Sequence, residues 1–130
     1  RVVGVDLDPA LIAEAERAEP GPHYLAADLT GFELPEAWPQ SFDAILCAGN
    51  VMGFVHPETR RPILAGFAAR LAPQGRAVVG FGAGRGYDFG DFVTDAAASG
   101  LELQQAFSTW DLRRFTEDSN FLVAVLGLPG

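Results

Sequence analysis

A short apolar run, Val2-Val3-Gly4-Val5, stops on Asp6 and passes at once into Asp8-Pro9; no other stretch limits the fold of this chain so strongly. A run of that length with β-branched residues reads as a strand buried on both faces, as in a parallel sheet. An acid followed by proline is a helix start, with Asp8 as N-cap and Pro9 at the first helical position. Strand and helix follow each other with almost no connection. That dictates a βα unit, with an acidic residue at the carboxyl end of the strand.

The same alternation continues along the chain and argues for βαβ units and a largely parallel sheet. Residues 2–5 form the first strand. The helix from Pro9 carries Ile12 and Ala15 inward and ends before Pro20-Gly21-Pro22. Residues 24–27 form a second strand, closing on Asp28, and residues 30–41 read as a loop with one helical turn. Residues 42–48, FDAILCA, are predicted to be a near-continuous buried strand. Pro57 opens the best helix, where Ile63, Leu64, Phe67, Ala68 and Leu71 keep the 3.6 period. The sequence Ala72-Pro73-Gln74-Gly75 reads as a turn, and residues 76–81 as the next strand. A glycine-rich stretch leads to a helix over residues 92–98, with Gly100 suited to a left-handed cap. Residues 101–110 and 120–126 are two strands whose connection is too short for a crossover, which implies a hairpin.

Composition narrows the class of partner. The 130 residues suit one domain, and 48% are hydrophobic, too apolar for a disordered segment. Net charge is −8, and every basic side chain other than histidine is Arg. That balance repels a phosphate backbone and argues against a nucleic-acid partner. No stretch is long and apolar enough to suggest a membrane span. Cys47 is the lone cysteine, which excludes an intrachain disulfide and a cysteine metal cluster, and no metal site is expected. The cytoplasm is the expected compartment.

Ligands of open α/β sheets bind outside the carboxyl ends of the strands. Here those ends present Asp6-Leu7, Asp28-Leu29, Ala48-Gly49-Asn50, the loop 82–87 and Trp110-Asp111. Two acids on successive strands suit a nucleoside, one for the ribose hydroxyls and one for an exocyclic amine. Leu7 and Leu29 would then wall the base. In such folds a glycine-rich turn lies about 20 residues before the ribose acid. Only five residues precede Asp6, so the chain reads as a single domain, residues 1–130, truncated at its N-terminus.

Taken together, VVGVDLDP, YLAADL, FDAILCAGNVMGFV, LAPQGRAVVGFG and the closing hairpin resemble class I S-adenosylmethionine-dependent methyltransferases. The resemblance covers nearly the whole chain, starting at the family's second strand. It implies an α/β, Rossmann-like three-layer sandwich with a mostly parallel sheet and a C-terminal antiparallel hairpin strand. It implies S-adenosylmethionine as cofactor, with Asp6 on its ribose, Asp28 on the adenine amino group, and Leu7 and Leu29 on the adenine faces. Ala48 would border the methionine part. The implied reaction is methyl transfer to a small-molecule acceptor. The family's first strand lies between the first and third strands of this chain. Their two inner edges are therefore expected to pair directly or with a partner chain, with self-association as the hazard.

Each remaining residue carries two readings. Asn50 orients substrate or serves as a turn residue tolerant of left-handed geometry. Met52 and Phe54 line a pocket or fill the core. His56 is a general base near neutrality or a structural histidine at a helix start. Arg85 and Tyr87 sit on a flexible rim and touch substrate, or only form the rim. Trp110 faces the cleft or closes the hairpin, and Cys47 is core filling. Two rival functions remain: a nicotinamide-dependent oxidoreductase domain and a non-catalytic α/β module.

Overall fold

The computed structural model describes residues 1–130. The chain divides into two compact units, Arg1–Ser41 and Phe42–Gly130.

In the first unit β1 (Val3–Asp6) leads into α1 (Pro9–Ala18), and β2 (His23–Ala26) returns parallel to β1 with Asp6 opposite Ala26. The helix begins where the sequence placed it, because Asp8 Oδ1 accepts the Ala10 N–H at 2.9 Å and Pro9 has no N–H to satisfy. Ile12 is its buried residue. The loop that follows is tied down by Trp38, stacked on His23 with ring centroids 4.7 Å apart. The Gln40 side-chain amide donates to the carbonyls of Pro35 and Trp38.

The second unit contains β3 (Phe42–Cys47), α2 (Val51–Phe54), a 3-10 turn (Pro57–Thr59), α3 (Arg60–Arg70), β4 (Leu71–Gly82), α4 (Phe89–Ala98), β5 (Glu102–Phe107) and β6 (Phe121–Gly127). The sheet order is β3-β4-β6-β5. β3 and β4 are parallel, whereas β6 runs antiparallel to both β4 and β5. The closing hairpin therefore forms as expected, with its second strand inserted between the first and β4.

One face of this sheet is the core. Ala77, Val79, Phe81, Leu122, Ala124 and Leu126 are buried on it, against Ile63, Leu64, Phe67 and Phe92 of the helices. Phe81 meets Phe92 edge-on at 5.1 Å, an arrangement favoured by the ring quadrupoles.

Three expectations need correction. β3 is not buried along its length: Asp43 and Ala44 are exposed, and Leu46 is 69% exposed. β3 is the edge strand of its sheet, and only Cys47 of it is buried. The turn signal at residues 72–75 does not precede β4 but lies within it. Phe42 pairs with Leu71 while Ala44 pairs with Arg76, so the extra residues bulge out of the ladder. Gly75 is required there, because a Cβ would come within 2.8 Å of the Phe42 carbonyl oxygen. Lastly, the strands are not one sheet but two, β1-β2 in the first unit and β3-β4-β6-β5 in the second.

Candidate functional site

Within the first unit, the parallel register of β1 and β2 brings Asp6 and Asp28 beyond the same ends of adjacent strands. The Ala27 N–H donates to the Asp6 carbonyl at 2.9 Å, which continues the ladder one residue past β2 and places Asp28 next in line. Each acid is held by its own loop. Asp6 Oδ1 accepts the Asp8 N–H at 2.8 Å, and Asp28 Oδ1 accepts both the Thr30 N–H at 2.9 Å and its hydroxyl at 2.7 Å. Such Asx turns fix the rotamer and commit one carboxylate oxygen. The Thr30 bonds, backbone first, hold the Asp28 carboxyl below the ordinary carboxylate range and keep it anionic. Leu7 is 69% exposed beside Asp6, while Leu29 is half-buried. An exposed leucine at a strand end is an apolar surface without a protein partner.

In the second unit the structure separates residues that the sequence treated alike. Ala48 is exposed directly after β3. Asn50 has the left-handed backbone expected of a turn residue, with φ 62°, and its Oδ1 accepts the Gly82 N–H at 2.7 Å. It thereby ties the end of β3 to the end of β4. Met52 is fully buried and fills the core. His56 caps the 3-10 turn, its Nδ1 accepting the Glu58 N–H at 3.2 Å. That bond occupies one ring nitrogen in a structural task. Phe54 is exposed, and the Arg85 guanidinium lies 4.7 Å from its ring centre. Arg85 thus sits on α2, with its aliphatic stem against Gly53.

Tyr87 departs most from expectation. It is 2% exposed rather than on an open rim, and its hydroxyl donates to Asp95 Oδ2 at 2.6 Å. Asp95 is also paired with Arg61 Nε at 2.8 Å, and the Arg60 guanidinium lies 3.7 Å above the Tyr87 ring while donating to the Gly86 carbonyl. Burial, and then the bond to Asp95, push the Tyr87 phenol far up. Burial also pushes the Asp95 carboxyl up, but Tyr87 and Arg61 outweigh it and hold the group below its ordinary range. The sequence reading missed this network. Nothing local signals a contact spanning 26 or 34 residues. A cleft of about 440 Å³ opens beside it, lined by Glu58, Arg60, Arg61, Asp91 and Asp95, acids and bases mixed. Of these, Arg61 and Asp95 form an ion pair with each other.

Cys47 is core filling, as expected; burial pushes its thiol up to about 11. No group of His, Cys, Asp and Glu suited to a metal ion is present. No helix is long and apolar enough to cross a membrane.

The family model described as a methyltransferase domain matches residues 1–75. A TehB-like S-adenosylmethionine-dependent methyltransferase from Corynebacterium glutamicum is 47% identical over 98% of this chain and 68% of its own, with a TM-score of 0.92. An S-adenosylmethionine-dependent methyltransferase from Clostridium acetobutylicum shares the fold at 11% identity, over 98% of this chain and 75% of its own, with a TM-score of 0.86. The CcbJ methyltransferase from Streptomyces caelestis does so at 15% identity, over 99% and 75%, with a TM-score of 0.84. No curated protein matches the chain. The strand order with its inserted antiparallel strand, the family match and the close Corynebacterium relative agree: the chain belongs to the S-adenosylmethionine-dependent methyltransferases of Rossmann-like fold.

Proposed function

We propose that the first unit grips the nucleoside of S-adenosylmethionine through Asp6 and Asp28, and that the acceptor is a small molecule. The observation that carries the cofactor assignment is the pair of acids beyond adjacent parallel strands, each with one oxygen committed to its loop and the other uncommitted. Asp6 would accept from the ribose diol, where charge-assisted bonds are the strong ones. Asp28, kept anionic by Thr30, would accept from the adenine amino group. Leu7 and Leu29 would take the two faces of the base, which gives the exposed Leu7 an apolar partner. Ala48 would border the methionine part.

The residues present therefore fit the cofactor. When bound, it supplies a methyl group on a sulfonium, already a good leaving group. The task left to the chain is alignment of an in-line displacement, which is worth several kcal/mol without a dedicated base. The binding of His56 Nδ1 in a cap agrees with that. A net charge of −8 suits a cationic cofactor and an uncharged or basic acceptor. Solved neighbours of the same fold include an amino pentose methyltransferase and a 1,6-didemethyltoxoflavin N1-methyltransferase, both acting on small molecules.

Calorimetric titration with S-adenosylhomocysteine tests the reading. Binding at about 100 μM or tighter, roughly 5.5 kcal/mol, should be lost in Asp6→Ala. An Asp6→Ala variant that binds as well as the parent would refute the assignment.

A further inference from the structure

The face of the second unit's sheet that lies away from the core is bare at β3 but built up at the carboxyl end of β4. Two residues there, Gly80 and Gly82, alternate onto the same face and carry no side chain. Neither is needed for a positive φ. Gly80 makes room for a ring, whereas Gly82 has its neighbours at ordinary contact distance. A Cβ on Gly80 would overlap Trp110 Cζ2 and come within 3.0 and 3.1 Å of Cη2 and Cε2, so the indole lies directly on the strand backbone. A Cβ on Gly82 would meet Asn50 Oδ1 at 3.5 Å and Phe121 Cδ2 at 3.6 Å. Trp110 and Phe121 face each other edge-on, with centroids 6.5 Å apart.

These contacts fix three groups in one place. The indole is seated on Gly80, yet the residue stays 45% exposed. Phe121 is half-buried and borders Gly82, its ladder partner. The Asn50 amide is oriented unambiguously, because its oxygen accepts the Gly82 N–H. Its NH2 donates to no protein acceptor and is left as a donor. The acid that follows Trp110, Asp111, is answered locally by Arg113 at 3.4 Å and by the Thr109 hydroxyl. The surface is aromatic, its neighbouring acid is paired, and it carries a hydrogen-bond donor.

We propose that Trp110, Phe121 and the Asn50 amide form the recognition wall for the methyl acceptor. The wall selects a planar, uncharged heteroaromatic ring that carries a hydrogen-bond-accepting oxygen or nitrogen. The ring stacks on the outer face of Trp110 and its acceptor atom takes the Asn50 NH2. This deepens the small-molecule reading above and rests on it. Gly80 is then a specificity-determining residue without a side chain, since any larger residue displaces the indole.

Saturation-transfer NMR on the full chain tests this with 2-pyridone and nicotinamide as probes and cyclohexanecarboxamide as the non-planar control. The planar probes should bind saturably and the control at least about threefold more weakly, the lower range of an aromatic pair. Trp110→Leu should weaken the planar probes by about threefold to tenfold. Gly80→Ala should do the same while keeping the tryptophan, because its methyl takes the place of the indole. Trp38→Phe should change nothing. Equal binding of planar and non-planar probes, or unchanged affinity in both Trp110→Leu and Gly80→Ala, overturns the wall. Calorimetry with S-adenosylhomocysteine on the same samples separates the two readings. Nucleoside binding without probe binding removes the wall alone, and probe binding without nucleoside binding removes the cofactor assignment alone.

Discussion

Substituting Tyr87 by Phe deletes one oxygen, the hydroxyl that a buried ring presents to Asp95. The ring is 2% exposed, and its packing against Phe81 at 5.4 Å and Phe92 at 5.8 Å survives the change. What goes is the 2.6 Å bond to Asp95 Oδ2, a bond to an ionised acceptor, worth about 1.5–3 kcal/mol. Asp95 keeps Arg61, so its charge is not stranded and the upper part of that range is not reached. We expect a loss of about 2 kcal/mol. With an unfolding entropy of about 2.1 cal/mol/K per residue over a unit of about 90 residues, that lowers its midpoint by about 10 °C. The pH dependence is the sharper test. The Asp95 carboxyl is depressed in the fold, so its contribution is present above the unfolded carboxylate value and fades as pH falls through the folded one. The Tyr87 phenol is raised, so its contribution is present below the unfolded value of about 10 and fades as pH rises beyond it. The difference between parent and Tyr87→Phe should therefore be flat from about pH 5 to 9 and narrow on both sides. Urea unfolding followed by far-UV circular dichroism measures it. A difference under about 0.5 kcal/mol at pH 7, within the noise of neutral surface changes, would refute the reasoning. So would one that stays constant down to pH 3.

Other outcomes follow from single groups. Cys47, buried and with its thiol pushed up to about 11, should react with iodoacetamide at pH 8 at least tenfold more slowly in the folded chain than in urea, as mass spectrometry would record. Asp8→Ala removes the cap of α1 and should destabilise the first unit by about 1 kcal/mol, read by denaturation. Nucleoside affinity should hold constant between pH 8 and 5, because Asp28 stays ionised below its ordinary range, and fall only at lower pH; titration calorimetry across that window checks it. Gly75→Ala should lower stability although its neighbours are polar and exposed, since the new methyl meets the carbonyl oxygens of Phe42 and Ala72, backbone atoms that cannot rotate aside, as well as Leu71 Cδ2; denaturation measures it.

What the sequence disclosed was local chemistry. Asp8-Pro9 is a helix start whatever surrounds it, and the structure begins α1 there. The Asn50 turn was legible because few side chains tolerate a left-handed backbone, and φ 62° confirms that reading. The hairpin followed from the length of a connection. What stayed hidden was contact at a distance. Tyr87 reads as a rim residue because glycines precede it, yet Asp95 and two arginines of α3 draw it inside. Leu46 reads as buried because its strand is apolar, but burial belongs to the face and not to the strand. One signal was present and passed over. A glycine inside a strand marks a bulge or a close approach, and Gly80 in the apolar end of β4 announced that Trp110 would come down on it.

The place of β6 has a consequence for the order of events during synthesis. β5 touches β4 nowhere in the sheet; every ladder bond that joins it to the rest passes through Phe121–Gly127. While the chain emerges, β3, β4 and both long helices are available early, but β4 presents an open apolar edge until residue 127 arrives. A nascent chain stopped near Ser119 therefore holds β5 with nothing to pair with, and β4 exposed to any strand that comes near. Seven late residues decide whether the second unit closes or becomes a substrate for chaperones and proteases.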